Sequence, residues 1–403
     1  MKTRALLASF AALLLLPLSG RAEPAPQDPH VIKIISSLPR TGSAKGQTDT
    51  MVNGIVMALE EANYKVGNFT IKYEDLDDAT AAEGQWTAEK EAANADQAIK
   101  DPDVMVYIGT YNSGAAKVSM PKLNTANLLM VSPANSWPGL TKPGKGDPGE
   151  PEKYRPTGKV NYVRVVPADD IQGVVGADWA KKMGLNKVFI LDDREVYGKG
   201  IADLFKARAE EIGLKVLGQE GIDAKAQEFK ALMTKVKAAG PDLVYFGGTT
   251  QTKAGQLVKD MVAVGLNAKF MCPDGCFEDA FISSAGADNL EGRALITFGG
   301  LPPEKLTGKG KQFVDNYKTK HGKMPEAYAA YGYESGKVAL HAIQRAGKKD
   351  REAVRAAGLS IKNFEGALGR WSFDRNGDTT LRTMSGNTVK GGKFEFVTVL
   401  GEE

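Results

Sequence analysis

Cysteine and histidine are scarce. The chain has 403 residues, of which two are Cys and three are His. Both cysteines lie in the stretch MCPDGC, Met271 to Cys276, which excludes a disulfide-dense scaffold. A structural zinc needs four ligands, and no second Cys/His pair is present to supply them. Cys-x3-Cys is also not the Cys-x2-Cys spacing of redox motifs. G-x-S-x-G and P-loop motifs are missing. His30 sits in a polar N-terminal arm, His321 ends a helical stretch before Gly322, and His341 falls within another. None has a Ser or Cys partner that the sequence supports, so no catalytic group is expected. Gly144, Gly146 and Gly149 match G-x-G-x-x-G, but they follow no strand and open no helix. FDRNGD (373–378) lacks the acid spacing and closing Glu of a calcium loop and reads as a turn. Neither a metal nor a cofactor is expected.

Charge of one sign is also lacking. The formal charge of +3 comes from Lys2, Arg4 and Arg21, because residues 1–22 carry no acid. Those residues pair a basic start with an apolar run, Ala5 to Leu16, and small residues Gly20 and Ala22. This is the pattern of a secretory signal peptide cut near Ala22. The remainder is formally neutral, which gives nucleic acid or an anionic membrane nothing to bind. No later apolar run reaches the ~18 residues of a membrane span. The remaining length exceeds one ordinary core, so two domains are expected.

Short apolar, β-branched runs alternate with helical patterns. They include VIKIISS at 31, FTIKYED at 69, VMVYIG at 104, NLLMVSP at 127, NYVRVVP at 161 and KVFILDD at 187. LKVLGQE at 214, DLVYFGG at 242, AKFMCPD at 268 and RALITF at 293 continue the series. Between them, Met51, Ile55, Ala58 and Leu59 share one helical face, as do Ile201, Leu204, Phe205 and Ile212. This order predicts an α/β fold with mostly parallel sheets covered on both faces. Residues 137–159, rich in Gly, Pro and charge, predict a long surface loop. After helical stretches at 308–321 and 327–346, RWSFDRNGD and GGKFEFVTV predict strands paired as a hairpin.

In open parallel sheets, ligands sit where strands end and helices begin, because free N–H groups and the helix dipole attract anions. Ser113 and Gly114 open a helical run after VMVYIG, and ANSWPG follows LLMVSP. Hydroxyls at these places suit a carboxylate, although plain N-capping explains most such Ser. Asp274 lies just past a strand and is free to face a cleft. Its flanking cysteines form either a local disulfide, as an exported chain permits, or a reduced, buried apolar pair.

Seven stretches in order carry a resemblance. They are TGSAKGQTDTMVNGIVMALEEAN (41–63), YIGTYNSG (107–114), LLMVSPANS (128–136), DDREVYGKG (192–200), DLVYFGGTT (242–250), FMCPDG (270–275) and FDRNGD. From about Ile32 to Val399 the chain resembles the periplasmic receptors of branched-chain amino acid ABC transporters, the leucine/isoleucine/valine-binding family. The resemblance implies two Rossmann-like α/β lobes joined by three crossings near 164–169, 296–300 and 366–371, with one ligand in the cleft between them. Lobe 1 would hold 29–165 plus 299–367, and lobe 2 would hold 166–298 plus 368–400. By resemblance, Ser113 and Ser136 hold a ligand carboxylate. The Asn135 carbonyl and Asp274 receive its ammonium, and Tyr197 closes over it. Thr110 and Tyr111 line the side-chain pocket. Asp274 stands where Glu is common, and Thr249-Thr250 replace an aromatic. Tyr111 replaces an aliphatic residue.

The expected function is a periplasmic, monomeric receptor that passes a small, aliphatic or branched-chain amino acid to an ABC permease and its ATPase subunits. The alternative in the same class is a receptor for an aromatic or aliphatic carboxylate, an amide or urea. An exported enzyme, or a sensor that signals through a membrane regulator, are readings of other classes.

Overall fold

The computed structural model describes residues 28–401; the expected signal peptide, 1–22, lies outside them. The first lobe runs β1 (Val31–Leu38), α1 (Lys45–Glu61), β2 (Lys65–Val66), β3 (Phe69–Asp77), α2 (Ala88–Lys100), β4 (Val104–Gly109), α3 (Ser113–Thr125), β5 (Leu129–Ser132) and β6 (Tyr162–Arg164). Its sheet has the order β2-β3-β1-β4-β5-β6, and every pair is parallel except β2–β3. All six residues of β4 are buried, because helices cover both faces of a parallel sheet.

The second lobe runs α4 (Asp169–Lys182), β7 (Lys187–Asp192), α5 (Val196–Glu211), β8 (Lys215–Gly221), α6 (Lys230–Ala239), β9 (Leu243–Gly247), α7 (Ala254–Ala263) and β10 (Lys269–Cys272). A 3-10 turn (Asp274–Cys276), α8 (Asp279–Ala285), α9 (Ala287–Leu290) and β11 (Ala294–Phe298) follow. The chain returns to the first lobe for α10 (Lys309–His321), α11 (Ala329–Ala346) and α12 (Arg351–Leu359), then β12 (Phe364–Gly366) and β13 (Gly369–Trp371). β14 (Met384–Lys390) and β15 (Lys393–Leu400) complete the second sheet, ordered β15-β14-β11-β10-β9-β7-β8. Among the described residues no helix is long and apolar enough to cross a membrane.

Three expectations need correction. Residues 366–371 are not a crossing, since β12 and β13 pair there as a hairpin. Buried Glu334 of α11 holds that hairpin to lobe 1, accepting from Trp371 Nε1 at 2.6 Å and the Ala367 N–H at 2.9 Å. The crossing comes later, after Asp378. For the same reason RWSFDRNGD does not pair with GGKFEFVTV; β15 pairs with β14 instead. The 137–159 loop is not simply a surface excursion, because it folds around its own Glu150. That carboxylate accepts from Trp137 Nε1 (2.9 Å), the Tyr154 hydroxyl (2.5 Å) and the Asp147 N–H (3.0 Å), and it pairs with Lys117 at 2.8 Å. Burial opposes its charge. The donors from Lys117, Tyr154 and Trp137 win, and its pKa falls to about 2.

The first and third crossings run side by side. Arg164, at the end of β6, exchanges backbone bonds with Gly377 and Thr379. Its side chain is fully buried, and Nε donates to Asp378 at 2.6 Å. Gln172 of α4 donates to Thr297 at 3.1 Å, which ties the first crossing to the second. Removing one partner of a buried charged pair strands the other. Asp378→Ala is therefore expected to cost about 3–5 kcal/mol in urea unfolding. A loss below about 1 kcal/mol would show that the pair does not hold the hinge.

Candidate ligand site between the lobes

Strand ends and helix starts of both lobes meet at one place. From lobe 1, β4 leads through Thr110–Asn112 into α3. No side chain caps that helix, so the N–H groups of its first turn remain available to an anion. Ser113 is buried beside them, and its Oγ accepts from the Trp137 N–H at 3.4 Å. From lobe 2, β10 ends at Cys272 and the 3-10 turn presents Asp274, which is 1% exposed. The Tyr197 hydroxyl, from the first turn of α5, donates to Asp274 Oδ1 at 2.5 Å. The Tyr328 hydroxyl, from the residue before α11, donates to Oδ2 at 2.6 Å. Tyr328 belongs to lobe 1, so this bond spans the cleft. Burial raises the Asp274 pKa, and the two phenols oppose that rise.

A cavity of ≈ 20 Å³ lies here, lined by Tyr111, Asn112, Ser113 and Ala134 of lobe 1, Tyr197, Thr249 and Gly275 of lobe 2, and Tyr328. Around it the lobes touch. A Cβ on Gly200 of α5 would fall 2.5 Å from the Trp137 ring, so only glycine lets that ring of lobe 1 lie on the helix. Lys225 pairs with Glu83 at 3.2 Å at the periphery. Gln251 and Tyr111 meet at 3.5 Å.

Four expected residues, Tyr111, Ser113, Tyr197 and Thr249, line the cavity together. Asp274 meets the cavity wall through its bonds to Tyr197 and Tyr328, and Thr110, Asn135, Ser136 and Thr250 stand behind it. The Thr110 hydroxyl donates to the Asn112 carbonyl at 2.8 Å. The Asn135 amide donates to Thr110 Oγ1 and the Tyr111 carbonyl, and its own carbonyl accepts from Arg164 at 3.2 Å. Asn135 is thus a brace for the Thr110–Tyr111 segment, and the carbonyl expected to take an ammonium already has a donor. The Thr250 N–H donates to the Gly275 carbonyl at 3.0 Å, fixing the turn that carries Asp274. The Ser136 hydroxyl faces Asp169, and the Ser136 carbonyl accepts the Asp169 N–H at 2.9 Å.

Cys272 and Cys276 are free and buried, so the disulfide reading is not realised. Backbone bonds hold the loop in its place, from the Cys276 N–H to the Pro273 carbonyl and from the Phe277 N–H to the Asp274 carbonyl. Both thiols pack in the apolar core. Sequence reasoning missed Tyr328, Asn112, Ala134 and Gly275. Tyr328 comes from the helical stretch after the second crossing, and no local pattern aims it at a residue 54 positions earlier.

Comparison with known proteins fits this geometry. A periplasmic binding protein family model matches residues 31–393. The Leu/Ile/Val-binding protein homolog 2 of Brucella abortus is 32% identical, over 85% of this chain and 86% of its own. The chain belongs to the periplasmic binding protein family. A Pseudomonas aeruginosa member, the leucine-, isoleucine-, valine-, threonine- and alanine-binding protein, is 30% identical over 86% of this chain and 87% of its own. The crystal structure of a leucine binding protein from Thermotoga maritima superposes with a TM-score of 0.81 at 27% identity, covering 92% of this chain and 98% of that one. A Rhodopseudomonas palustris solute binding protein in complex with benzoate shares the fold, with a TM-score of 0.77 at 19% identity over 92% and 96% of the two chains.

Other acids are buried, as Asp193 and Glu278 are, or half-buried, as Glu326 is. Burial lifts Asp193 to about 7 and Glu278 to about 8, against donors from Thr252 and Thr250 respectively. Burial also raises Glu326 of lobe 1 to about 7, and its charge adds to the rise at Glu278. In the unfolded chain these groups titrate near about 4. The native form therefore holds more protons across the interval up to about 8, and stability is lost as pH rises through the folded values. The melting temperature without added ligand should fall between about pH 5 and about pH 8. A constant or rising value would contradict these assignments.

Proposed function

We propose that the protein is the periplasmic receptor of an ABC importer and captures a small α-amino acid, most simply a branched-chain one, between its lobes. The observation that carries this reading is the placement of opposite charge preferences across one cleft. The uncapped N-terminus of α3 with Ser113 offers donors from lobe 1, and buried Asp274 offers a carboxylate from lobe 2. A zwitterion leaving water needs both ends paired, and this arrangement supplies both. Seating it requires the rings of Tyr111, Tyr197 and Tyr328 to part, which opening the lobes allows. Because the ligand touches both lobes, it favours the closed form and shifts the population towards it.

The names of the relatives support the amino-acid reading. The benzoate complex of a structural neighbour supports the carboxylate alternative only in part, because a ligand with no cation leaves Asp274 facing no counter-charge. The receptor would be exported by residues 1–22, act as a monomer and hand its ligand, chemically unchanged, to a permease driven by cytoplasmic ATPase subunits. His321 packs on Tyr317 and His341 on Phe364, so neither supplies acid–base chemistry to the cleft.

Calorimetry with L-leucine tests the reading. Asp274→Ala is expected to weaken binding by well over about tenfold, since breaking a buried charged pair costs about 2–5 kcal/mol. Unchanged affinity would remove Asp274 from the site. No heat with the wild-type protein would remove the branched-chain reading.

A further inference from the structure

The cleft holds a second chamber next to the first. Tyr111, Asn112, Tyr197 and Thr249, which line the first cavity, also line another of ≈ 20 Å³. The rest of its wall includes Trp86 of lobe 1 and Asp193 and Glu195 of lobe 2. Trp86 lies between β3 and α2, half-buried, and its ring rests on the first turn of α3, where a Cβ on Gly114 would fall 2.7 Å from it. Asp193 is buried, and its oxygens accept only from neutral donors, the Thr252 hydroxyl and the Glu195 N–H, both at 2.9 Å. The Glu195 carboxylate is half-buried and caps no N–H of α5. Arg194, between the two acids in sequence, donates to the Gly221 carbonyl at 2.7 Å. Lys199 pairs with Asp203 and Lys225 with Glu83, so neither carboxylate has an ion-pair partner among the described residues.

The other polar groups here add acceptors. Gln251, also on this wall, donates its Nε2 to Glu278 at 2.8 Å, which leaves its Oε1 on the side of the Tyr111 hydroxyl, 3.5 Å away. That hydroxyl gives its proton to Gln47 Oε1, and the Thr252 hydroxyl gives its own to Asp193. The chamber thus lacks donors and positive charge. The helix dipole accounts for an acid at the start of α5, but not for a tryptophan on the facing lobe. An aromatic face attracts a cation, and carboxylates replace the water that a cation loses on entering. We propose that this chamber is a subsite for a cationic side chain, with Asp193 and Glu195 pairing its charge and Trp86 covering it, so that the receptor takes α-amino acids with long basic side chains as well as branched-chain ones. This rests on the amino-acid reading and widens its ligand class. The α-carboxylate and α-ammonium keep the seats described above, and the side chain passes the Tyr111 ring to reach the acids.

The electrostatics agree with this geometry. Burial raises the pKa of both acids, that of Asp193 to about 7, as happens where no cation offsets the lost water. A guanidinium between them favours both charged forms. The walls come from both lobes, so opening widens the chamber, and closure brings Trp86 and the acids together around the side chain. A basic ligand therefore gains contacts in the closed form that a short apolar one does not make, and it shifts the population further towards closure.

The test is calorimetry with L-arginine and with L-citrulline, which has the same side-chain length and a neutral ureido group, at about pH 8, where both acids are largely ionised. Wild-type protein is expected to bind L-arginine about tenfold or more tighter than L-citrulline. L-arginine should also displace L-leucine, because the two share the inner seats. In Glu195→Gln, which keeps the shape and removes the charge, the preference for L-arginine should shrink to within about threefold. The wild-type comparison needs no variant. Heat from L-leucine with none from L-arginine would overturn the inference and leave the amino-acid reading intact. Equal wild-type affinities for L-arginine and L-citrulline, or a folded variant that keeps the full preference, would overturn it too. No heat from either L-leucine or L-arginine would overturn the amino-acid reading and this inference with it.

Discussion

The buried guanidinium of Arg164 is the interaction on which the rest of the structure depends. A fully buried charge is tolerable only when hydrogen-bond partners replace water around it, and the partners of Arg164 define the geometry there. Asp378 joins the third crossing to the end of β6. The carbonyls of Asn135 and Trp137 fix the loop that follows β5. Thr141 carries the connection on to the 137–159 segment, and its hydroxyl in turn donates to Asp378. One side chain thus fastens the hinge and the lobe 1 wall of the cleft together, so that opening the lobes need not loosen the wall.

Lobe 2 meets that wall with an acid, Asp274 on the turn after β10. Lobe 1 answers with an uncapped helix end and the Tyr328 phenol. On the proposed reading, neither lobe alone pairs both ends of a zwitterion, and this division makes closure depend on the ligand. A receptor that must release its ligand to a permease also cannot complete the site from one lobe, or opening would not weaken its hold.

Much of the fold was legible because buried parallel strands read as continuous apolar runs. β4, buried at every residue, is the clearest case. Helix starts after those strands directed attention to Ser113 and Asp274, and the family resemblance added Tyr197. The failures share one physical cause, which is that pairing between distant segments leaves no local pattern. β14 and β12 take the partners that RWSFDRNGD and GGKFEFVTV had been expected to find in each other. Pro and Gly in 137–159 read as surface, while the single acid Glu150 draws Trp137, Tyr154 and Lys117 inward. Tyr328 reaches Asp274 only through tertiary packing.

The central claim is that one ligand joins the two lobes. Paired spin labels at Glu83→Cys and Lys225→Cys, which face each other across the cleft in an exposed ion pair, test it most directly by double electron–electron resonance. Removing that pair should disturb little, because exposed ion pairs contribute little to stability, and the two native thiols are buried from the labelling reagent. Saturating L-leucine should collapse the distance distribution to a single short separation, with a longer or broader one in its absence. A distribution unchanged by saturating, calorimetrically verified L-leucine would contradict the account.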